Sequence, residues 1–522
     1  MNKIQNPILP GFHPDPSIVR AGEDYYIATS TFEWFPGVQI HRSRDLVHWE
    51  LHTHALSRPE QLDLRGVPYS CGIWAPCLSY DGERFYLVYT IVRNTGGPYK
   101  DTHNYLVTAE DICGPWSEPV YLNSTGFDPS LFHDEDGRKW LVNMAWDHRA
   151  DRHRFAGILL QEYDPSRKRL VGEETNIFTG SALQKTEGPH LYRRNGWYYL
   201  IAAEGGTGLG HAVTMARSRE LAGPYELHPE NPVLTSRYNP ELRLQKAGHA
   251  DLVETPNGEW YMVHLCTRPL EGHSILGRET AIQKVVWGDD GWLRLTQGGY
   301  EPEDAVAAPA LPEHPFPPLP ECDDFDSPAL GKQYSTLRMA LGADTLSLTD
   351  RPGHLRLYGA ESLHSLFRQA LVARRQEAFC YTASARISFR PQDHRQMAGL
   401  ICLHDYENYF YLYLSHDEVK GVCIGVASCD NGRYAFTGTD ACGCGEYVCL
   451  RVEVRYRSLR FTYSPDGESW RRIGERYDAG VLSDEHSQCS FYTGAFVGLC
   501  CQDLSGRRRY ADFDWFSYRE EK

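Results

Sequence analysis

Nowhere does the chain carry an apolar run approaching the roughly 20 residues a membrane-spanning helix needs. Its first residues, Met1-Asn2-Lys3-Ile4-Gln5-Asn6-Pro7, lack the apolar core of a secretory leader. Both absences lead to the expectation of a cytosolic protein with no membrane partner. Positive charge is also scarce: 53 Lys and Arg stand against 69 Asp and Glu, a formal net charge of −16. Phosphate backbones are held by basic faces, so no nucleic-acid partner is expected. The one basic run, Arg507-Arg508-Arg509, reads as a solvated loop. A secreted disulfide framework is missing too, because the 15 cysteines are odd in number and Cys500 and Cys501 are adjacent. Cys442, Cys444 and Cys449 lie close together, but no second spaced pair of Cys or His completes a zinc set. No loop has recognised calcium-ligand spacing, so no cofactor is required by the sequence. A structural Ca²⁺ shared by acids near Asp324 and Asp512 is held as a guess.

What the chain does have is length, aromatic residues and repetition. At 522 residues it exceeds one ordinary domain, and its 12 Trp and 32 Tyr suit sheets and surfaces that stack on sugars. The run Asp15-Pro16-Ser17-Ile18-Val19, with Gly22 and Tyr25-Tyr26-Ile27, recurs as Ala75-Pro76-Cys77-Leu78-Ser79 with Gly82 and Phe85-Tyr86-Leu87. It returns at Asp128-Pro129-Ser130-Leu131-Phe132, at Glu187-Gly188-Pro189-His190-Leu191, and more weakly at Ala250-Asp251-Leu252-Val253. Each copy reads as a hairpin, an apolar strand and an aromatic or β-branched strand around a Gly turn. Spacings of about 50 to 60 residues are those of radial or stacked repeats. Five copies predict a five-bladed β-propeller over residues 1–300.

In a propeller, equivalent positions of successive blades face one axis. Asp15, Asp128 and Glu187 are read as equivalent, each just before the first strand of its hairpin, so three carboxylates converge on one mouth. Such acids repel, and the arrangement is costly without a catalytic or metal-binding purpose. Asp15 alone also reads as turn chemistry between two prolines. Glu187, with its extra methylene, reaches further into the mouth, as a proton donor to a leaving group would. Trp74, one residue before the inner-strand position, is the candidate stacking platform. Phe32 either walls a ligand pocket or packs between blades. His249 is either a channel-ion ligand or a satisfied core histidine. Arg278 binds sugar hydroxyls, depresses a carboxylate's pKa, or forms a plain salt bridge.

Seven prolines between Glu301 and Glu321 mark a linker over residues 301–321. Beyond it, short strand-like runs such as Tyr409 to Leu414, Leu450 to Tyr456 and Leu459 to Tyr463 predict an antiparallel β-sandwich over residues 322–522.

The motifs His13-Pro14-Asp15-Pro16-Ser17, Phe127-Asp128-Pro129-Ser130, Thr186-Glu187-Gly188-Pro189-His190 and Leu276-Gly277-Arg278-Glu279-Thr280 resemble those of glycoside hydrolase family 43, most closely its two-domain β-xylosidases. The resemblance covers nearly the whole chain and implies an all-β architecture with a concanavalin-like sandwich. It implies inverting hydrolysis in which Asp15 is the general base, Glu187 the general acid and Asp128 the residue that orients the acid and tunes its pKa. Arg278 then resembles the sugar-binding arginine, and Trp74, Phe32 and His249 line the non-reducing-end subsite. It further implies that the sandwich lends a loop to close the pocket, near Phe491 to Phe496.

The expected activity is exo-hydrolysis releasing D-xylose from short β-1,4-xylo-oligosaccharides. The alternatives are an α-L-arabinofuranosidase, dual activity, a retaining sucrose- or fructan-processing propeller, and a non-catalytic carbohydrate-binding propeller. Partners are then a xylo-oligosaccharide or arabinoside, with a homo-oligomer left open.

Overall fold

Each repeat supplies alternating apolar strands that pair with their sequence neighbours, and the result is five antiparallel sheets of four or five strands. A computed structural model describes residues 2–443, 445–489 and 491–521. The first strands of the five sheets are Ser17–Ala21, Gly72–Tyr80, Ser130–His133, Glu187–Arg194 and Gln245–Glu254. Each of them touches the first strand of the next sheet, and the fifth touches the first, so they form a closed ring around the axis. This is a five-bladed β-propeller. Apolar clusters lie between blades: Ile18 and Ile27 pack with Val253 and Val263, and Val142 and Leu160 pack with Leu191 and Leu200. Each such fully buried side chain contributes roughly 1.5–3 kcal/mol relative to exposure. Closure comes from the chain's own start, where Lys3–Gln5 pairs antiparallel with Ala305–Ala307 and Leu9 bridges Thr280.

The chain divides into two units. The propeller unit comprises 1–62, 71–268 and 278–316, and the second comprises 63–70, 269–277 and 317–522. Part of the proline-rich stretch is therefore structured within the propeller, which runs on to Phe316. Two excursions in the propeller sequence fold with the second unit. There Arg338 donates from Nε to the Val67 carbonyl at 2.7 Å, and Ser274 donates from its amide and hydroxyl to Glu485 at 2.7 and 2.8 Å.

The second unit is a sandwich of an eight-stranded and a six-stranded antiparallel sheet. Tyr381, Leu400, Leu412, Leu450, Phe461 and Phe513 meet in its core. The stretch expected to close a pocket is fastened within this unit, since the amides of Tyr492 and Thr493 donate to Asp484 at 2.7 and 3.0 Å. The described cysteines other than Cys442 are free thiols, and Cys442 is disulfide-bonded. Cys444, part of the close cysteine group noted in the sequence, lies outside the described residues. Asp512 is taken up by Arg356 and Arg351, and among the described residues no group of three or more His, Cys, Asp or Glu is placed to hold a metal ion.

Candidate active site

Four of the five blades open with a residue before proline, and all four of those residues have left-handed backbone: Asp15 (φ 55°), Ala75 (φ 30°), Asp128 (φ 54°) and Gly188 (φ 54°). His249 (φ 49°) takes the same conformation in the fifth. A non-glycine residue there carries a cost of about 1–2 kcal/mol, which persists only where surrounding contacts impose it. The kink corrects one expectation. Glu187 is not the counterpart of Asp15 and Asp128: Gly188 is, and Glu187 sits one residue earlier, ahead of a register shift between Glu187 and His190.

The segment bearing Asp15 is tied to the fifth blade. The His13 amide donates to the Arg278 carbonyl at 2.9 Å, and the Thr280 hydroxyl donates to the His13 carbonyl at 2.6 Å. Arg278 Nη1 donates to Asp15 Oδ1 at 2.6 Å and Nη2 to Oδ2 at 3.3 Å, while the Ser30 hydroxyl donates to Oδ2 at 2.7 Å. Ser30 Oγ in turn accepts from the Ala75 amide at 2.7 Å. His249 Nδ1 stands 3.7 Å from Asp15 Oδ1. Burial alone would push the Asp15 carboxyl up. The Arg278 and His249 charges and the Ser30 and Arg278 hydrogen bonds outweigh it and hold Asp15 below its ordinary value.

Glu187 and Asp128 are displaced the other way. Asp128 accepts one amide hydrogen bond, from Gly188 at 3.1 Å. Burial, then the Glu187 and Asp15 carboxylates, push Asp128 well up. Burial and the charge of Asp15 push Glu187 up to about 7, against the pull of Lys100, Arg278 and Lys185. The three carboxylates are 6%, 7% and 8% exposed, so water does little to screen them from one another. One cluster thus holds an ionised carboxylate beside a pair that retains a proton near neutrality, the pattern acid–base chemistry needs.

The other expected residues gather here as well. Phe32, 2% exposed, packs against Phe12 and Trp74 at 5.5 and 6.0 Å between ring centroids, and the Arg278 guanidinium lies 5.3 Å from its ring. Trp74 is half-buried and edges onto Phe127 at 5.5 Å. Burial pushes His249 down to about 4, so its imidazole is neutral at pH 7 and lends its charge to Asp15 only in acid.

Two participants escaped the sequence reading. Ser30 lies among other small polar residues with no spacing to distinguish it. Lys100 sits on a loop, yet its ammonium lies 5.2, 5.7 and 4.8 Å from the rings of Trp74, Phe127 and Trp146. A lysine between aromatic residues is a weak sequence signal, because only the fold brings the three rings around it.

Both parts of the chain match known family models. Residues 322–519 match the beta xylosidase C-terminal concanavalin A-like domain. The chain is 52% identical to xylosidase/arabinosidase 43B of Humicola insolens, over 99% of this chain and 98% of that one. It is 48% identical to a beta-xylosidase of Bacillus subtilis (strain 168), over 99% and 100%. The solved xylan beta-1,4-xylosidase from Bacillus halodurans C-125 superposes with a TM-score of 0.98 at 53% identity, over 99% of this chain and 100% of that one. With residues 4–293 matching the family model itself, the chain belongs to glycosyl hydrolases family 43.

Proposed function

We propose that this protein is an inverting exo-glycosidase that releases D-xylose from the non-reducing end of β-1,4-xylo-oligosaccharides. Asp15 is the general base that activates water, Glu187 the general acid that protonates the leaving oxygen, and Asp128 the neighbour that orients the acid and tunes its pKa. Arg278 binds the sugar and holds Asp15, while Trp74, Phe32 and His249 shape the subsite. The observation that carries this reading is one buried cluster in which Arg278 and Ser30 grip Asp15 while Asp128 holds the Gly188 amide next to Glu187, with Asp15 displaced below and Glu187 above their ordinary values. The names of the Bacillus relatives support xylosides as substrates. A cytosolic location on short oligomers is supported by the free thiols that make up the described cysteines apart from Cys442.

The acid's role has a direct test. A phenolate leaves without protonation and a sugar alkoxide does not. Glu187→Gln is therefore expected to lose far more rate on xylobiose than on an aryl β-xyloside with a good leaving group, while Asp15→Asn loses both. Equal losses for Glu187→Gln on the two substrates would assign the proton elsewhere. A second reading, α-L-arabinofuranosidase activity in the same pocket, is favoured by the joint name of the Humicola relative. Rates on aryl α-L-arabinofuranosides and β-xylosides separate the two.

A further inference from the structure

Beside the acid lies a cavity of about 480 Å³, with a wall that includes Arg149, Arg152, His153, Phe155 and Lys185 and reaches Thr186, the residue before Glu187. That volume accommodates a sugar ring. Its charge runs against that of the chain: Arg149 is bound to Asp147, the one carboxylate in the wall, and Arg152 stands 3.7 Å from the neighbouring exposed Asp151, so with Lys185 the wall carries three cations against one carboxylate on a protein of net charge −16.

The wall next to the acid is built rather than loose. Gln184 and Lys185 both hold left-handed backbone, at φ 61° and 55°. The turn is fastened by the Gly205 amide donating to the Gln184 carbonyl at 2.8 Å. Thr186 Oγ1 and the Ser181 amide both donate, at 2.7 Å, to the fully buried Glu204 carboxylate. Two adjacent non-glycine residues in this region are the kind of strain that collects at binding sites.

An aromatic track joins the cavity to the catalytic cluster. Trp74 meets Phe127 at 5.5 Å, Phe127 meets Trp146 at 6.1 Å, and Trp146 meets Phe155, in the cavity wall, at 5.5 Å. Phe127 is buried, so these rings tie the cavity wall to the cluster by packing. Thr186, adjacent in the chain to Glu187, forms part of the wall, which places the cavity on the proton donor's side, where the leaving portion of a glycoside lies.

We propose that this cavity receives a carboxylate-bearing sugar, a uronic acid attached to the leaving portion of the oligosaccharide, with Arg152 and Lys185 as its cationic partners and Arg149, held by Asp147, adding to the positive field. The inference rests on the glycosidase reading above for the direction of the chain. Guanidinium groups hold carboxylates in paired hydrogen bonds, which suits a substituent that must be oriented as well as attracted.

The test compares xylotriose with a xylotriose bearing glucuronic acid on a reducing-side residue, using the full chain and an Arg149→Ser/Arg152→Ser variant. The ratio of kcat/KM on the acidic substrate to that on the neutral one is expected to fall about five- to tenfold in the variant. In the native protein the same ratio is expected to fall as salt is raised. An unchanged ratio overturns the proposal. If neither substrate is cleaved, the glycosidase reading fails, and calorimetry with the acidic oligosaccharide decides the cavity separately. Binding weakened five- to tenfold in the variant supports it, and no binding, or equal binding, overturns it.

Discussion

Arg278 grips Asp15 with both terminal nitrogens, at 2.6 and 3.3 Å, and both residues are less than a tenth exposed. The pair fixes the carboxylate's position and keeps it ionised at the same time. Removing the cation in Arg278→Ala leaves a buried charge uncompensated, a loss of about 3–5 kcal/mol. As the proposed base, Asp15 acts only when deprotonated, and its pKa rises without Arg278. The acidic limb of kcat/KM is therefore expected to move to higher pH, in addition to a large fall in its plateau. A pH–rate profile of the variant with an unmoved acidic limb would show that another group titrates there.

Ser30 acts on the same carboxylate from the other side, held in place by the Ala75 amide. Ser30→Ala removes one charge-assisted hydrogen bond, about 1–2 kcal/mol. The expected result is a several-fold lower kcat with the acidic limb shifted upward, less than in Arg278→Ala. Steady-state rates across pH 3–6 check it, and a change in KM alone would assign Ser30 to substrate binding.

Glu187 carries a cost that function requires. A carboxyl whose folded pKa is raised, here from 4.5 to about 7, favours the folded state below its ordinary value, and that contribution is lost as pH climbs through about 7. Glu187→Gln has no charge to bury. Its stability is expected to exceed that of the native protein at pH 8 by on the order of 2–3 kcal/mol, seen as a higher Tm, and to converge with it near pH 4. Thermal melts at the two pH values measure this; a pH-independent difference would mean that packing, not ionisation, separates the two proteins. For the same reason native activity is expected to fall as pH rises through about 7, with the apparent value belonging to the Asp128–Glu187 pair.

Gly188 is the one glycine among the four residues that precede a blade's first proline. A Cβ there would stand 2.8 Å from His249 Nε2, on backbone at φ +54°. Gly188→Ala is expected to destabilise by at least about 1 kcal/mol and to cost activity by displacing His249 and the amide that binds Asp128. Urea unfolding together with kcat reports both, and a variant of native stability and rate would contradict the close approach.

The five hairpins were legible because each repeats a pattern that pairs locally, and the acids because the repeats point them at one axis. The offset of Glu187 was not. Asp15, Asp128 and Glu187 look alike as acids near a proline, but the prolines align Asp15 and Asp128 with Gly188, and only the backbone kink reveals which position matters. The excursions 63–70 and 269–277 were equally hidden. Alternation of apolar residues marks strands, but it does not say which core a connecting loop joins. Ser30 and Lys100 owe their places to contacts across 15 residues or more and to rings from three segments, which no local pattern records.

The central claim is that Asp15 and Glu187 act as base and acid on opposite faces of one sugar, with a single displacement at the anomeric carbon. Proton NMR of the anomeric region during hydrolysis of xylobiose tests it most directly. The account predicts that α-xylose appears first, before mutarotation, and that Glu187→Ala produces neither anomer at a comparable rate. First appearance of β-xylose would contradict it, because retention requires a nucleophile where this account places a base.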